Sequence, residues 1–363
     1  MRVRFPTKSY AYMSKTKYPC VLLVNDIHVS KDNIGDFILN WEEAVSICRR
    51  MNIELIVVGG DMFMSRSAQT LDVLLAVHDS LICAGKENIR VVLANGNHDK
   101  VNQEEIRGYC HVFDRHYNVT VADEHLTLHE KDWEFALHII PYFPETGSFT
   151  AKLEYVTENS LKDSKMNYLY IHEGISGALK YCSQSELPQS LFGAYEKTFV
   201  GHYHNRCSIP NTNIEYIGSS RQQNFGEDEE KGYTVIYNNG EYDFIQNQSN
   251  TRFKVIDVPL DKMDESLSER LAELKLQGGS RVKLRIHSDI PNPSIVDKEG
   301  LSKLGVSKIE IISQAIEQTE VTATGIFEKL DGRKLQESYE SFCRERKKKT
   351  EELTLGITYL SKI

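Results

Sequence analysis

The sequence predicts an α/β protein in which two sheets are packed between helices. Three observations predict it. Short apolar runs alternate with stretches of helical periodicity over the first hundred residues, strand-like runs crowd together after Asn118, and the early runs each stop at Asp, His or Asn.

The first run is CVLLVND, from Cys20 to Asp26, and reads as a buried strand. A polar loop follows, and then Asp36 to Met51 sets Phe37, Trp41, Ala44, Val45, Cys48 and Met51 at helical spacing. The pattern repeats with IELIVVGGD (53–61), a helical stretch from Thr70 to Cys83, and IRVVLANGNHD (89–99). Downstream, WEFALHIIPYF, NYLYIHEGI, TFVGHYHN, NIEYIGSS and YTVIYNNGEYDFI read as strands, broken by one polar helical stretch near residues 150–165. A second unit begins near Arg252, where FKVIDVPL, a helical ESLSERLAELKL, the strand RVKLRIHSDI and a further helix and strand run to about Thr324. From Asp331 the chain is charge-rich, with Leu335, Tyr339 and Phe342 on one helical face, then RERKKK and an apolar ELTLGITYLSKI. The expected division is therefore 1–250, 251–328 and 329–363.

Composition bounds the function. With 363 residues, 40% of them hydrophobic and 26% charged, the chain has the make-up of a globular protein with room for a large core. No stretch approaches the ~20 apolar residues of a membrane span. Met1 to Tyr18 lacks the apolar run of a secretory signal, so the expected location is the cytoplasm, that of the host if the gene is a phage's. Seven scattered cysteines without a C-x-x-C pair cannot form a complete disulfide framework. A net charge of −9 argues against a chain that coats nucleic acid unaided, though a local basic groove is compatible with it.

Five strand-end sites carry the chemistry: Asp26-Ile27-His28, Gly60-Asp61, Gly96-Asn97-His98-Asp99, His172, and Gly201-His202-Tyr203-His204. In α/β sheets the loops beyond the carboxyl ends of strands share one crevice, and here those loops present metal-ligating side chains. Two divalent cations held close together need a shared anionic ligand to offset their repulsion, and Asp61 is the candidate bridge. Asp26, His28 and His204 then complete one shell, and Asn97, His172 and His202 the other, leaving positions for water and phosphate. A bridging water acidified by two cations would attack phosphorus in line, with His98 donating a proton or steadying charge. Asp99 is expected to accept a hydrogen bond from the His98 imidazole and fix its tautomer. Arg66, Lys100, Arg206 and Arg221 are the candidate contacts to a nucleic-acid backbone. The remaining histidines (78, 111, 116, 125, 129, 138 and 287) lack the strand-end setting and read as surface or packing residues.

The ordered set D-x-H, GD, GNHD, H and GHxH resembles the calcineurin-like metallophosphoesterase superfamily over residues 20–245. That resemblance implies an αββα sandwich with a dinuclear metal centre. Within the superfamily, GGDMFMSRSAQTLDVLLAVHDSL and YIGSSRQQNFGEDEEKGYTVI resemble the SbcD-type DNA repair nucleases of bacteria and phages. This second resemblance implies manganese, a homodimer, DNA as substrate, and a role in recombination and double-strand break repair beside an SMC-like ATPase subunit, SbcC. The chain has no Walker A loop of its own, so such a partner would supply ATP hydrolysis. Residues 251–328 stand where those nucleases carry a small α+β capping, DNA-binding domain, and 329–363 where they carry a helical partner-binding segment. Two departures stand out: Met64 occupies a position where some members have a histidine near the scissile phosphate, and the segment before the first strand is longer than usual. Rival readings are a phosphodiesterase or phosphatase acting on a small ester, and a non-catalytic scaffold on the same fold. The full ligand set disfavours the scaffold.

Overall fold

The computed structural model describes residues 16–144, 147–162, 165–179, 186–260, 267, 269, 271, 280–288 and 296–313. The tail from 329 to 363, the basic run within it, and most of the N-terminal extension lie outside the described residues, as does most of the ESLSERLAELKL stretch.

Strand β1 (Pro19–Val24) shows how the layers arise. Its alternate side chains point to opposite faces, and both faces are covered, so the run is apolar throughout instead of alternating. Leu22 and Val24 face the helices α1 (Ile34–Met51) and α2 (Leu71–Lys86), meeting Phe37, Trp41, Val45, Val77 and Leu81. Val21 and Leu23 face a second sheet, meeting Phe135, Leu137, Tyr168 and Tyr170. Strands β2 (Leu55–Val58) and β3 (Arg90–Ala94) divide in the same way: Ile56, Val58, Val91 and Leu93 lie on the helix side, and Leu55, Val57 and Val92 between the sheets.

The first sheet is completed by β4 (Val119–Ala122), β11 (Gly232–Tyr237) and β12 (Tyr242–Gln246), in the order β12-β11-β1-β2-β3-β4. The second contains β5 (Leu126–Leu128), β6 (Phe135–Ile140), β7 (Met166–His172), β8 (Lys197–Gly201), β9 (Cys207–Ser208) and β10 (Ile214–Tyr216), ordered β5-β6-β7-β8-β10-β9. Its outer face carries Leu169, Ile171 and Val200 against Phe149, Leu153 and Val156 of α3 (Ser148–Asn159). Helix, sheet, sheet and helix follow one another, which is the layered α/β architecture the sequence implied. Each buried Val, Leu, Ile or Phe contributes roughly 1.5–3 kcal/mol. Three such interfaces are therefore ample to fix loops at the strand ends.

A third, parallel sheet, β13-β14-β15, comprises β13 (Arg252–Pro259), β14 (Ser280–Ser288) and β15 (Val306–Ser313), with the short helix α4 (Lys298–Lys303) before the last. It has its own core, in which Ile256, Val258, Val282, Leu284 and Ile286 pack together.

Strands β4, β5 and β9 have no counterpart in the sequence reading. They are two to four residues long, and β5 is only half-buried, so none carries enough apolar alternation to stand out.

Candidate metal centre

Strands β1, β2 and β3 run parallel, as do β7 and β8, so the segments that follow them emerge together. The turns they make are strained. Among the described residues, the non-glycine residues with positive φ are Asn52, Asn88 and Asn211, which tolerate it, together with Asp26 (47°), His28 (50°), Asp61 (52°) and His202 (88°). Glycine and Asn apart, left-handed backbone among the described residues is thus confined to candidate ligands, where the surrounding structure must impose it. Two motif glycines have a matching reason: a Cβ on Gly60 (φ 123°) would strike the His172 ring, and one on Gly96 would strike the Asp61 carboxylate.

The side chains converge. Asp61 Oδ2 lies 3.3 Å from His28 Nε2 and 3.2 Å from His172 Nε2. Asp26 Oδ1 is 3.7 Å from His172 Nε2 and 3.9 Å from both His28 Nε2 and His204 Nε2, and those two imidazole nitrogens are 3.1 Å apart. Donor atoms around one first-row cation at about 2.1 Å stand roughly 3 Å apart across right angles. Three groups each bring their donor atoms within 4.8 Å of one another, close enough to gather round an ion: Asp26, His28 and His204; Asp26, Asp61 and His172; and His28, Asp61 and His98. Asn97 joins them, its amide lying 3.2 Å from His202 Nδ1, 3.2 Å from Asp61 Oδ2 and 3.3 Å from His172 Nε2. Hydrogen bonding alone favours turning its nitrogen toward Asp61 Oδ2 and His202 Nδ1 and its oxygen toward Arg66, whereas a cation would call for the opposite turn.

The electrostatics favour a positive guest. Burial pushes the Asp26 carboxyl up, and it pushes the His28 and His202 imidazoles down to about 3 and about 4, so both rings are neutral and able to ligate. Burial works against ionised Asp61 too, but His172 and His28 hold its carboxyl well below the usual range. Against its own burial, His172 is raised to about 9 by Asp61 and Asp26. Two buried carboxylates facing one another demand a compensating charge, which the proton on His172 supplies here and a divalent cation would supply more fully.

Supporting atoms aim the ligands. His172 Nδ1 donates to the Gly59 carbonyl at 3.2 Å, which turns Nε2 to the carboxylates. His204 Nδ1 is paired with Glu227 Oε1 at 2.8 Å. Asn25 Nδ2 donates to Asp26 Oδ2 at 2.5 Å, and the His202 amide also donates to the Asp26 carboxylate. Residues 220–223 cap the loop from 25 to 28: Ser220 N donates to Asn25 O (3.0 Å), Gln223 Nε2 to Asp26 O (2.6 Å), and Arg221 Nη2 to Ile27 O (3.0 Å). Sequence reasoning missed Asn25, Gln223 and Glu227. The stretch around 220–231 stands out as a whole, but its dense run of polar residues gives no register from which to choose one.

His98 stands beside the cluster, half-buried, its ring edge-on to His28 at 4.8 Å. Its Nδ1 lies 2.6 Å from the carbonyl of Met64, which accepts only, so Nδ1 carries the hydrogen and Nε2 is left for chemistry. The expected Asp99 partner is a correction. The Asp99 carboxylate is fully buried and accepts the backbone amides of Met62 (3.2 Å), Phe63 (2.9 Å) and Gly96 (2.8 Å). It ties the Asp61 turn to the Asn97 turn and does not receive the imidazole. Burial and the charge of Asp61 raise it to about 7, against the opposing pull of those amides.

Three of the four basic residues are also corrected. Lys100 is fully buried, donating to Tyr142 O at 2.7 Å with its ammonium 3.6 Å from the Phe143 ring centre. Arg221 is buried beneath the first loop, and Arg206 is paired with Glu215 and Thr234 and stacked on Phe244. Arg66 alone of the four is exposed, beside Asn97. A cation near a motif in sequence carries no orientation: burial decided Lys100 and Arg221, and pairing with Glu215 decided Arg206. The set-aside histidines lie elsewhere: His138 bonds Thr127 and Asn167, His111 bonds Asp123, His78 faces His116, and His287 bonds Asp257.

A four-layer α/β sandwich with carboxylates and imidazoles gathered at one strand edge defines a class of metal-dependent hydrolases. Residues 21–206 match the calcineurin-like phosphoesterase family, and the chain belongs to it. A protein described as phosphoesterase 244L, from Invertebrate iridescent virus 6, is 24% identical over 249 residues, covering 66% of this chain and 82% of the viral one. The SbcD component of nuclease SbcCD from Staphylococcus saprophyticus is 22% identical over 275 residues, covering 66% of this chain and 70% of its own. The crystal structure of Pseudomonas putida nuclease MPE matches 60% of this chain and 84% of that one at 14% identity, with a TM-score of 0.29. Among the described residues no helix is long and apolar enough to cross a membrane.

Proposed function

We propose that this phosphoesterase hydrolyses DNA phosphodiester bonds as the nuclease subunit of an SbcCD-type complex, acting as exonuclease and endonuclease in recombination and double-strand break repair. The observation that carries the hydrolytic part is the place of Asp61 Oδ2, about equidistant from His28 and His172, one from each ligand set. The likeness to the SbcD component of nuclease SbcCD supports DNA as the substrate.

Two divalent cations, Mn2+ in this reading, would be held by Asp26, His28 and His204 on one side and Asn97, His172 and His202 on the other, with Asp61 shared. Bound there, they would acidify water and neutralise charge at the phosphoryl group. The protein's own part is to hold the donors in place and to exclude competing protonation. His98, fixed at Nδ1 by Met64 O, presents Nε2 to the leaving oxygen and must enter as imidazolium to donate. Residues 251–328 would cap the site and hold DNA, and 329–363 would bind an SbcC-type ATPase. The working unit would be a cytoplasmic homodimer.

A second reading, hydrolysis of a small phosphate ester, is favoured by one finding: of the four basic residues expected at DNA, only Arg66 is exposed. One assay separates the two. With Mn2+, linear and hairpin DNA are expected to be cut by the wild type and not by His98→Ala, with a generic phosphodiester run beside them. Cleavage of the small ester alone, with the ATPase partner present, would replace the nuclease reading by the second.

A further inference from the structure

Glu227 is neither ligand nor acid in the proposed reaction, yet its side chain is 6% exposed and aimed at a candidate ligand. Its Oε1 lies 2.8 Å from His204 Nδ1. A carboxylate accepts only, so Nδ1 carries the hydrogen, and the lone pair of Nε2 is turned toward His28 Nε2 at 3.1 Å and Asp26 Oδ1 at 3.9 Å. An imidazole with no such partner is free to hold its hydrogen on Nε2, where it would block ligation.

The carboxylate is itself held. Asn224 Nδ2 donates to Oε1 at 2.7 Å and the Gln223 amide to Oε2 at 3.0 Å. The buried Lys231 ammonium stands 3.9 Å from Oε2 and donates to the His204 carbonyl at 2.7 Å and to Asn205 Oδ1 at 2.8 Å. Glu227 and His204 are thus fixed at both ends, ring and backbone, by one short segment. The same segment caps Asp26 and Ile27 through Gln223 and Arg221.

We propose that Glu227 is a positioning residue of the centre, which sets the tautomer and the aim of His204 so that Nε2 faces Asp26 and His28. The proposal rests on the metal-centre reading for its use, but the tautomer it predicts exists without any metal.

Imidazole 15N spectra of the metal-free protein, at an alkaline pH where the ring is neutral, test it directly. His204 is expected as the Nδ1–H tautomer in the wild type and to shift toward Nε2–H in Glu227→Ala. Should the alanine variant not fold, Glu227→Met keeps the bulk and removes the acceptor. The same tautomer in wild type and variant would overturn the proposal. A parallel Mn2+ titration should show one class of site weakened about 10- to 100-fold by Glu227→Ala and largely restored by Glu227→Gln, whose amide oxygen still accepts. Equal affinities in all three proteins would also overturn it. A wild type that takes up no divalent cation counts against the metal centre, and the tautomer comparison then decides on Glu227 by itself.

Discussion

The two halves of the proposed centre are built differently. Asp26, His28 and His204 are backed by a second layer of side chains from residues 220–231, which bonds the carbonyls of the first loop and the far nitrogen of the ring. Asn97, His172 and His202 are held mainly through the main chain: the Gly59 carbonyl turns His172, and Asp99 accepts the Gly96 amide in the turn that carries Asn97. The difference teaches that placing Asp61 between two sets of candidate ligands does not make the surroundings symmetric. One half is braced by side chains from residues 220–231, and the other by main-chain groups.

Removing the ligand common to both halves should erase the difference altogether. Asp61→Ala is expected to abolish binding of both cations and to lower phosphodiester hydrolysis by three orders of magnitude or more, since cation stabilisation is worth roughly several kcal/mol. Calorimetric Mn2+ titration beside turnover checks it, and retention of one tight site would show that Asp61 serves only one half. His98→Ala should spare both halves and lower turnover by about 10²- to 10⁴-fold. A parallel loss of Mn2+ binding would make His98 a ligand instead of an acid.

Arg221→Met isolates the braced half. It leaves the carbonyls of Ile27 and His28 without their guanidinium donor, a loss of about 1–3 kcal/mol. The denaturation temperature should fall by several degrees, and Mn2+ should raise it by less in the variant than in wild type. An equal rise in both would mean that the loop needs no bracing. The smallest effect belongs to the exposed guanidinium beside Asn97: if DNA is the substrate, Arg66→Ala should weaken its binding uniformly across sequences and reduce the salt slope by about one unit. Lys100→Ala, buried against Phe143, should leave that slope alone.

How much of this was legible depends on how many constraints each residue satisfies alone. The candidate ligands were picked out because Asp, His and Asn at the ends of apolar runs have few other uses, and the structure draws all seven to one edge. The long strands and α1 were legible because burial on both faces leaves continuous apolar runs, and one-sided burial leaves the Phe37–Trp41–Val45–Cys48 stripe. Asp99 was misread because its neighbour in sequence is not its neighbour in space: the carboxylate turns inward to three amides. Lys100 and Arg221 were misread because sequence gives a side chain's charge without its direction. Glu227 could not be picked out of EDEEK, since only the closed fold selects one of five charged side chains for His204.

The pairing of β1 with β11 has a consequence during synthesis. Leu22 waits for Val235, its partner in the first sheet, so the earliest apolar strand leaves the ribosome with one flank unfilled. At roughly 5–20 residues per second, that wait lasts on the order of 10 to 40 s. For that interval the nascent chain presents an unpaired strand edge, open to pairing with another chain.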